Sequence, residues 1–249
     1  KVSPPVADFI RRTDEKRLRG GKMPDYIGII RVLEKFNLLP AIFFLKSRAE
    51  CDAALTARGM LQPLQNATVF SYSLDELLGR FPTLARHRQL KVLRSMGLAS
   101  HHGGQLPAWK MLVEEMMNRG HLRVIFATST IAAGVNFPAR TIVLFNSDLF
   151  NGSDFSPLTA TEFRQMTGRA GRRGQDNIGF MLTVTGKFMN LNHIRGLLFQ
   201  KPEDILSRLK NDHKVILYPL DDPLEITPAD RDAALMISGR NNHIIILEG

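Results

Sequence analysis

The sequence is poor in several features that assign chemistry at a glance. It holds one cysteine in 249 residues, which excludes a disulfide framework and fits a reducing compartment, most simply the cytoplasm. No apolar run approaches the ~18 residues of a membrane span, no membrane partner is expected, and no secretory leader is visible. No GxxxxGK[ST] loop occurs, because the stretch Gly20-Gly21-Lys22-Met23 lacks both the first glycine and the hydroxyl residue. No strand-like run ends in an acidic pair suited to Mg²⁺; Asp14-Glu15 and Asp75-Glu76 stand in polar or helical settings. The chain by itself therefore cannot cradle and hydrolyse a nucleotide by the P-loop route. No GxGxxG follows a strand, which argues against a dinucleotide site. His101 and His102 are adjacent, so a strand sends them to opposite faces, and without a Cys or acidic ligand nearby no metal site is expected. The chain opens with Lys1 rather than Met, which reads as an excised fragment.

What is present is an ordinary globule with a lopsided charge. Hydrophobic residues make up 44% and charged residues 23%, and the length suffices to bury a core unaided. The net charge is +9, but from Asp212 onward three basic residues (Lys214, Arg231, Arg240) face seven acidic ones, so that segment carries −4 and residues 1–211 carry +13. A basic body of this size points to a polyanionic partner. One basic cluster crowds the start (Arg11 to Lys22), and one spans Arg80, Arg86, Arg88, Lys91 and Arg94 on an expected helix. A third, Arg164, Arg169, Arg172 and Arg173, sits in a glycine-rich stretch. The first two read as solvated faces.

Periodicity places helices and short apolar strands in alternation. Tyr26 to Asn37 has helical spacing, and AIFFL at 41–45 is a buried-strand run followed by Ser47 as a cap for a helix over 48–58. Residues 59–97 read as mostly helical and irregular. A short strand at 98–102 runs into Gly103-Gly104, and Pro107 opens a helix to Asn118 that Gly120 closes. Met111, Met116 and Met117 fit the core face of that helix. Strands are expected at 123–128, 141–145 and 178–184, with helices at 130–133 and 159–167. The alternation argues for an α/β fold with a parallel sheet flanked by helices, in which ligands collect at the carboxyl ends of the strands. Ser47, Arg48, His102, Gly103, Thr128 and the loop around Gly134 all fall at such ends.

The sharpest feature is QMTGRAGRRG at 165–174. Arg169 and Arg172 lie three apart at a helical turn, which points them the same way, and the glycines allow another surface close. This stretch resembles motif VI of superfamily 2 helicases, of pattern QxxGRxGR. Three further stretches agree in order: PAIFFLKSR at 40–48 resembles motif IV, ASHHGGQLPAWK at 99–110 resembles the segment after it, and RVIFATSTIAAGVNFPART at 123–141 resembles motif V. The wording is nearest the superkiller-type DExH-box helicases, and the resemblance covers about residues 25–208.

The resemblance implies a RecA-like C-terminal helicase lobe, with ATP and nucleic acid bound between it and an N-terminal RecA-like lobe that carries the phosphate loop, the DExH acid and most of the hold on Mg²⁺. Carried over position by position, Arg172 is the arginine finger on the γ-phosphate, Arg169 its companion, and Gln165 a nucleotide- or water-facing group. Gly134 and Asn136 are the motif V nucleotide contacts; DEAD-box relatives have Asp where Asn136 stands, and Asn keeps a carbonyl acceptor. Ser47, Arg48, His102, Gly103 and Thr128 are backbone-phosphate contacts on a single strand of RNA or DNA. Ser129 stands where many close relatives carry an acid. Residues 1–24 read as a basic arm and 25–208 as the RecA-like domain. The acidic segment 209–249 departs from the family pattern and is open to three readings: a small subdomain, a strand docked on the sheet, or an altered terminus. Two rival readings are a non-catalytic nucleic-acid-binding module of the same fold and a basic scaffold without nucleic acid.

Overall fold

The strands at 41–44, 98–101, 124–127, 141–144 and 180–184 are short and buried on both faces, which only a sheet covered on both sides can satisfy. The computed structural model describes residues 24–57, 61, 62, 64, 66–129, 139–150, 154–172, 174–200 and the backbone of 244–248. Elements follow in the order α1 (Tyr26–Lys35), β1 (Ala41–Phe44), α2 (Arg48–Ala54), α3 (Ala67–Arg80), a 3₁₀ turn (Pro82–Arg86), α4 (Leu90–Met96), β2 (Leu98–His101), α5 (Pro107–Asn118) and β3 (Val124–Ala127). Then come β4 (Thr141–Leu144), β5 (Asp148–Phe150), β6 (Phe155–Pro157), α6 (Ala160–Thr167), β7 (Phe180–Val184), α7 (Leu191–Phe199) and β8 (Ile244–Glu248). The main sheet has the order β2-β3-β1-β4-β7-β8. Its first five strands are parallel, and β8 runs antiparallel to β7.

Alternation along each strand divides the core in two. Ile42, Phe44, Ile125, Ala127, Ile142 and Leu144 face a layer built from α3, α5, α6 and α7. Phe43, Val124, Phe126, Val143 and Leu182 face α1 and α2. Each of the larger of these side chains, Val, Leu, Ile or Phe, contributes about 1.5–3 kcal/mol when taken fully out of water. Trp109 on α5 is fully buried, stacks on His87 with centroids 3.8 Å apart, and donates from Nε1 to the Ser100 carbonyl at 3.2 Å.

Helix boundaries follow local chemistry. Ser47 caps α2 by accepting from the Glu50 amide at 3.1 Å. Thr159 and Glu162 form a reciprocal capping box at the start of α6. Gly120 closes α5 at φ +72°, in the left-handed region where a Cβ is disfavoured.

Several expectations need correction. Met116 and Met117 are buried, but Met111 is 53% exposed, so only two of the three methionines pack inside. The basic residues from Arg80 to Arg94 do not share a helix: they are spread over the end of α3, the 3₁₀ turn, the link after it and α4. Nor are they all merely solvated, since Arg88 pairs with Asp52 and Arg94 with Asp75. The described part of α2 ends at Ala54, short of residue 58. The β5–β6 hairpin and α7 have no counterpart among the elements read from the sequence, whereas β8, paired antiparallel with β7 at the sheet edge, has the arrangement described by the docked-strand reading of the acidic segment. The arm drawn at 1–24 apart from Pro24, the helix at 130–133 and the boundary drawn at 208 lie outside the described residues.

Candidate functional site

Parallel strands send their carboxyl ends to one edge, and here three neighbouring strands, β2, β3 and β1, deliver five of the sequence-selected residues to it. Ser47 and Arg48 follow β1, His102 and Gly103 follow β2, and Thr128 follows β3. Arg48 is exposed, and its Nη2 lies 3.3 Å from where a Cβ on Gly103 would sit. Any side chain at 103 would press on the guanidinium. Gly103 and Gly104 are exposed, whereas Thr128 is 9% exposed.

His102 is placed differently from the other four. Its ring is buried at 3% exposure. Its Nδ1 accepts from the Gly104 amide at 3.1 Å, so Nε2 carries the ring proton and faces Asp52 Oδ1 at 3.2 Å. His102 thus shapes the Gly103-Gly104 turn from inside. As the alternation of a strand requires, His101 points the other way and meets Glu114 on α5 at 2.7 Å. Burial lowers the pKa of His101, against the pull of Glu114.

Sequence reasoning missed Asp52, on which this edge is hung. Its Oδ1 accepts from Ser100 Oγ at 2.8 Å, Gln89 Nε2 at 2.9 Å and Gln105 Nε2 at 3.2 Å besides His102, while Oδ2 takes Arg88. Burial alone would raise its pKa. Hydrogen bonds from His102 and Ser100 and the nearby charge of Arg88 outweigh that and hold the carboxyl below its ordinary value. Asp52 therefore ties α2, which carries Arg48, to the end of β2. Its partners lie some 36 to 53 residues away along the chain, and no spacing rule could have linked them.

Of the second set of selected residues, Arg169 and Arg172 lie at the opposite end of the sheet. Ala139, just before β4, pairs in parallel with Ala170: its amide donates to the Arg169 carbonyl at 3.0 Å and its carbonyl accepts from the Gly171 amide at 2.7 Å. The end of the motif V stretch is thereby stitched to the motif VI stretch. Glycine is required here. Gly171 has φ +85°, and a Cβ on Gly179 would stand 2.4 Å from the Ala170 carbonyl carbon.

Arg169 and Arg172 lie beyond the helix, since α6 ends at Thr167, so a turn rather than a helical face sets their directions. Gln165 is exposed on α6. Arg169 is partly buried, and loss of hydration lowers its pKa without removing its charge. Arg172 is 20% exposed and is gripped side-on by Asp176, with Nε to Oδ2 at 2.8 Å and Nη2 to Oδ1 at 3.0 Å. Burial would raise the Asp176 pKa, but the Arg172 side-chain and backbone donors and the Arg172 and Arg140 charges bring it below the ordinary range. Asp176 was also missed: it meets Arg172 in the turn after α6, outside any helix whose i,i+4 spacing would have signalled the pair. Gly134 and Asn136 lie outside the described residues.

Among the described residues no group of three or more His, Cys, Asp or Glu side chains is placed to hold a metal ion. No helix among them is long and apolar enough to cross a membrane.

Residues 56–174 match the family described as the helicase conserved C-terminal domain. The chain is 33% identical over 215 residues to the DExH-box ATP-dependent RNA helicase DExH15, chloroplastic, of Arabidopsis thaliana, covering 85% of this chain and 18% of that protein. It is 36% identical over 198 residues to the probable helicase HelY of Mycobacterium tuberculosis, covering 74% and 22%. With human superkiller complex protein 2 it shares 32% identity over 209 residues, covering 80% and 17%. The chain is a superfamily 2 C-terminal helicase lobe. The parallel sheet flanked by helices is the RecA-like architecture of that family. The lobe spans about a fifth of the length of these relatives. The matched family region takes in His102, Gly103 and Thr128 at one end of the sheet, Arg169 and Arg172 at the other, and Gln165 on α6.

Proposed function

We propose that this lobe is one half of an ATP-dependent DExH-box helicase acting on single-stranded RNA or DNA, its other half being an N-terminal RecA-like lobe of the same protein. Arg172 reaches the γ-phosphate as arginine finger, Arg169 assists it, Gln165 faces the nucleotide or the attacking water, and Gly134 and Asn136 contact the nucleotide. A finger of this kind is worth about 10³–10⁵-fold in rate, and arginine suits it because a planar, permanently charged fork matches phosphate oxygens. Mg²⁺ and most of the triphosphate belong to the other lobe. Ser47, Arg48, Gly103 and Thr128 grip the phosphates of the strand, with His102 shaping the turn that carries Gly103. Such contacts position a strand without reading its sequence. The two lobes close on ATP and reopen after hydrolysis, gripping the strand in turn. The lone Cys51, fully buried with its pKa raised by burial, suits the cytoplasm.

The observation that carries this reading is the separation of the two sets, strand-gripping residues on the carboxyl edge of β2, β3 and β1, and arginines beside the start of β4. A motor needs its track and its fuel on different surfaces of one rigid body. The test is turnover by the full-length protein carrying Arg172→Ala: hydrolysis is abolished while strand binding persists, and equal loss of both would make the arginine structural. The isolated lobe is expected not to hydrolyse ATP, and robust RNA-stimulated turnover by it would overturn the half-site account.

The Arg172–Asp176 pair supports a second reading, a non-catalytic nucleic-acid-binding lobe in which Arg172 is an internal tie. On that reading Arg172→Ala lowers stability and leaves no hydrolysis to lose.

A further inference from the structure

Asp176 has no role in the function proposed above, yet its side chain is 1% exposed and both of its oxygens are taken by one residue. Oδ2 accepts from the Arg172 main-chain amide at 2.9 Å and from its Nε at 2.8 Å, and Oδ1 accepts from Nη2 at 3.0 Å. One carboxylate thus clamps the root and the fork of the same side chain. The intervening torsions are fixed, and arginine otherwise carries about 2 kcal/mol of rotamer entropy. A guanidinium has five N–H donors. Side-on pairing consumes one on Nε and one on Nη2, which leaves Nη1 and the outer N–H of Nη2 at the opposite end of the fork. A buried acid beside a phosphate-binding arginine would normally cancel its charge. Here Arg140 Nη1 stands 3.8 Å from Asp176 Oδ1, so two cations share one anion and a net positive charge remains.

We propose that Asp176 is a positioning residue for Arg172: it holds the guanidinium side-on so that the far end of the fork is presented, already oriented, to a phosphate oxygen. The inference rests on the finger role proposed for Arg172. Orientation settled before the ligand arrives acts on the transition state, where a misplacement of about 1 Å costs about 10²-fold. The opposite relation, in which Asp176 sequesters the arginine until it is displaced, uses the same distances and predicts the opposite sign.

The experiment measures ATP turnover at saturating single-stranded RNA, together with RNA affinity, in the full-length protein carrying Asp176→Asn, Asp176→Glu or Arg172→Ala. Asparagine keeps the shape and loses the charged grip. The expected result is a fall in kcat of about 10²-fold for Asp176→Asn, with KM for ATP and RNA affinity unchanged and part of the loss recovered by Asp176→Glu. A kcat at or above wild type overturns the proposal, a rise pointing to sequestration. Loss of RNA affinity alongside kcat, or failure to fold, also overturns it, because Asp176 would then be a structural residue. Arg172→Ala that keeps full turnover sinks the finger reading itself, whatever Asp176→Asn does, so the two failures are distinguishable.

Discussion

Replacing Gly179 with alanine tests whether the crossing that unites the motif V and motif VI stretches holds both in place. A Cβ at 179 would lie 2.4 Å from the Ala170 carbonyl carbon, 2.5 Å from the Gly171 nitrogen and 2.6 Å from the Ala170 oxygen. All three are backbone atoms, so no side chain can swing aside. Restoring van der Waals separation of about 3.5 Å requires the two segments to part by about 1 Å. That stretches the paired hydrogen bonds between Ala139 and the Arg169–Gly171 segment, now 3.0 and 2.7 Å. Each is worth about 1 kcal/mol net, so Gly179→Ala should destabilise the lobe by about 2 kcal/mol. The same displacement carries Arg169 and Arg172 off their positions and should lower turnover in the full-length protein by about 10²-fold. Denaturant unfolding of the lobe and steady-state hydrolysis read the two effects. Gly186→Ala is the control, because nothing lies within 4 Å of a Cβ there. If Gly179→Ala were as stable and as active as Gly186→Ala, the crossing would not be the support that this reasoning makes it.

Two further expectations concern the core and the carboxyl edge. Trp109→Ala should cost about 3–5 kcal/mol in denaturant unfolding, since the indole is fully buried and stacked on His87; a loss under about 1 kcal/mol would show that the site refills. Asp52 has a folded-state pKa below its unfolded value, so its contribution is present above the unfolded carboxyl value of about 3.9 and is lost as pH falls through the folded one. Asp52→Asn should therefore make stability less dependent on pH below about 4, and an unchanged acid slope would refute the coupling.

Much of the architecture was legible because each strand is a compact apolar run and each helix carries a local stop or start signal. AIFF, VIFA and TIVL are fully buried, and Ser47, Pro107 and Gly120 act where their chemistry suggests. The β5–β6 hairpin was not legible, since its three-residue strands lie in a polar stretch without alternation. α7 did carry a signal that was overlooked: Asn190 caps it, and Leu191, Ile194 and Leu197 fall on one buried face. The site divides the same way. Residues that follow parallel strands reach one edge by topology alone, so Ser47, Arg48, Gly103 and Thr128 could be selected from sequence. The inward turn of His102 could not, because Asp52, the acid that receives its Nε2, is contributed by a different element 50 residues earlier.

The separation of track and fuel is tested most directly by comparing Arg48→Ala with Arg172→Ala in the full-length protein. Strand affinity is followed across a salt series, and hydrolysis is followed at saturating strand. Arg48→Ala should weaken strand binding and reduce the log–log salt slope by about 0.7 per lost phosphate contact, with hydrolysis retained. Arg172→Ala should leave the slope intact and abolish hydrolysis. Two variants that lose both activities in parallel would contradict the assignment of opposite ends of the sheet to different ligands.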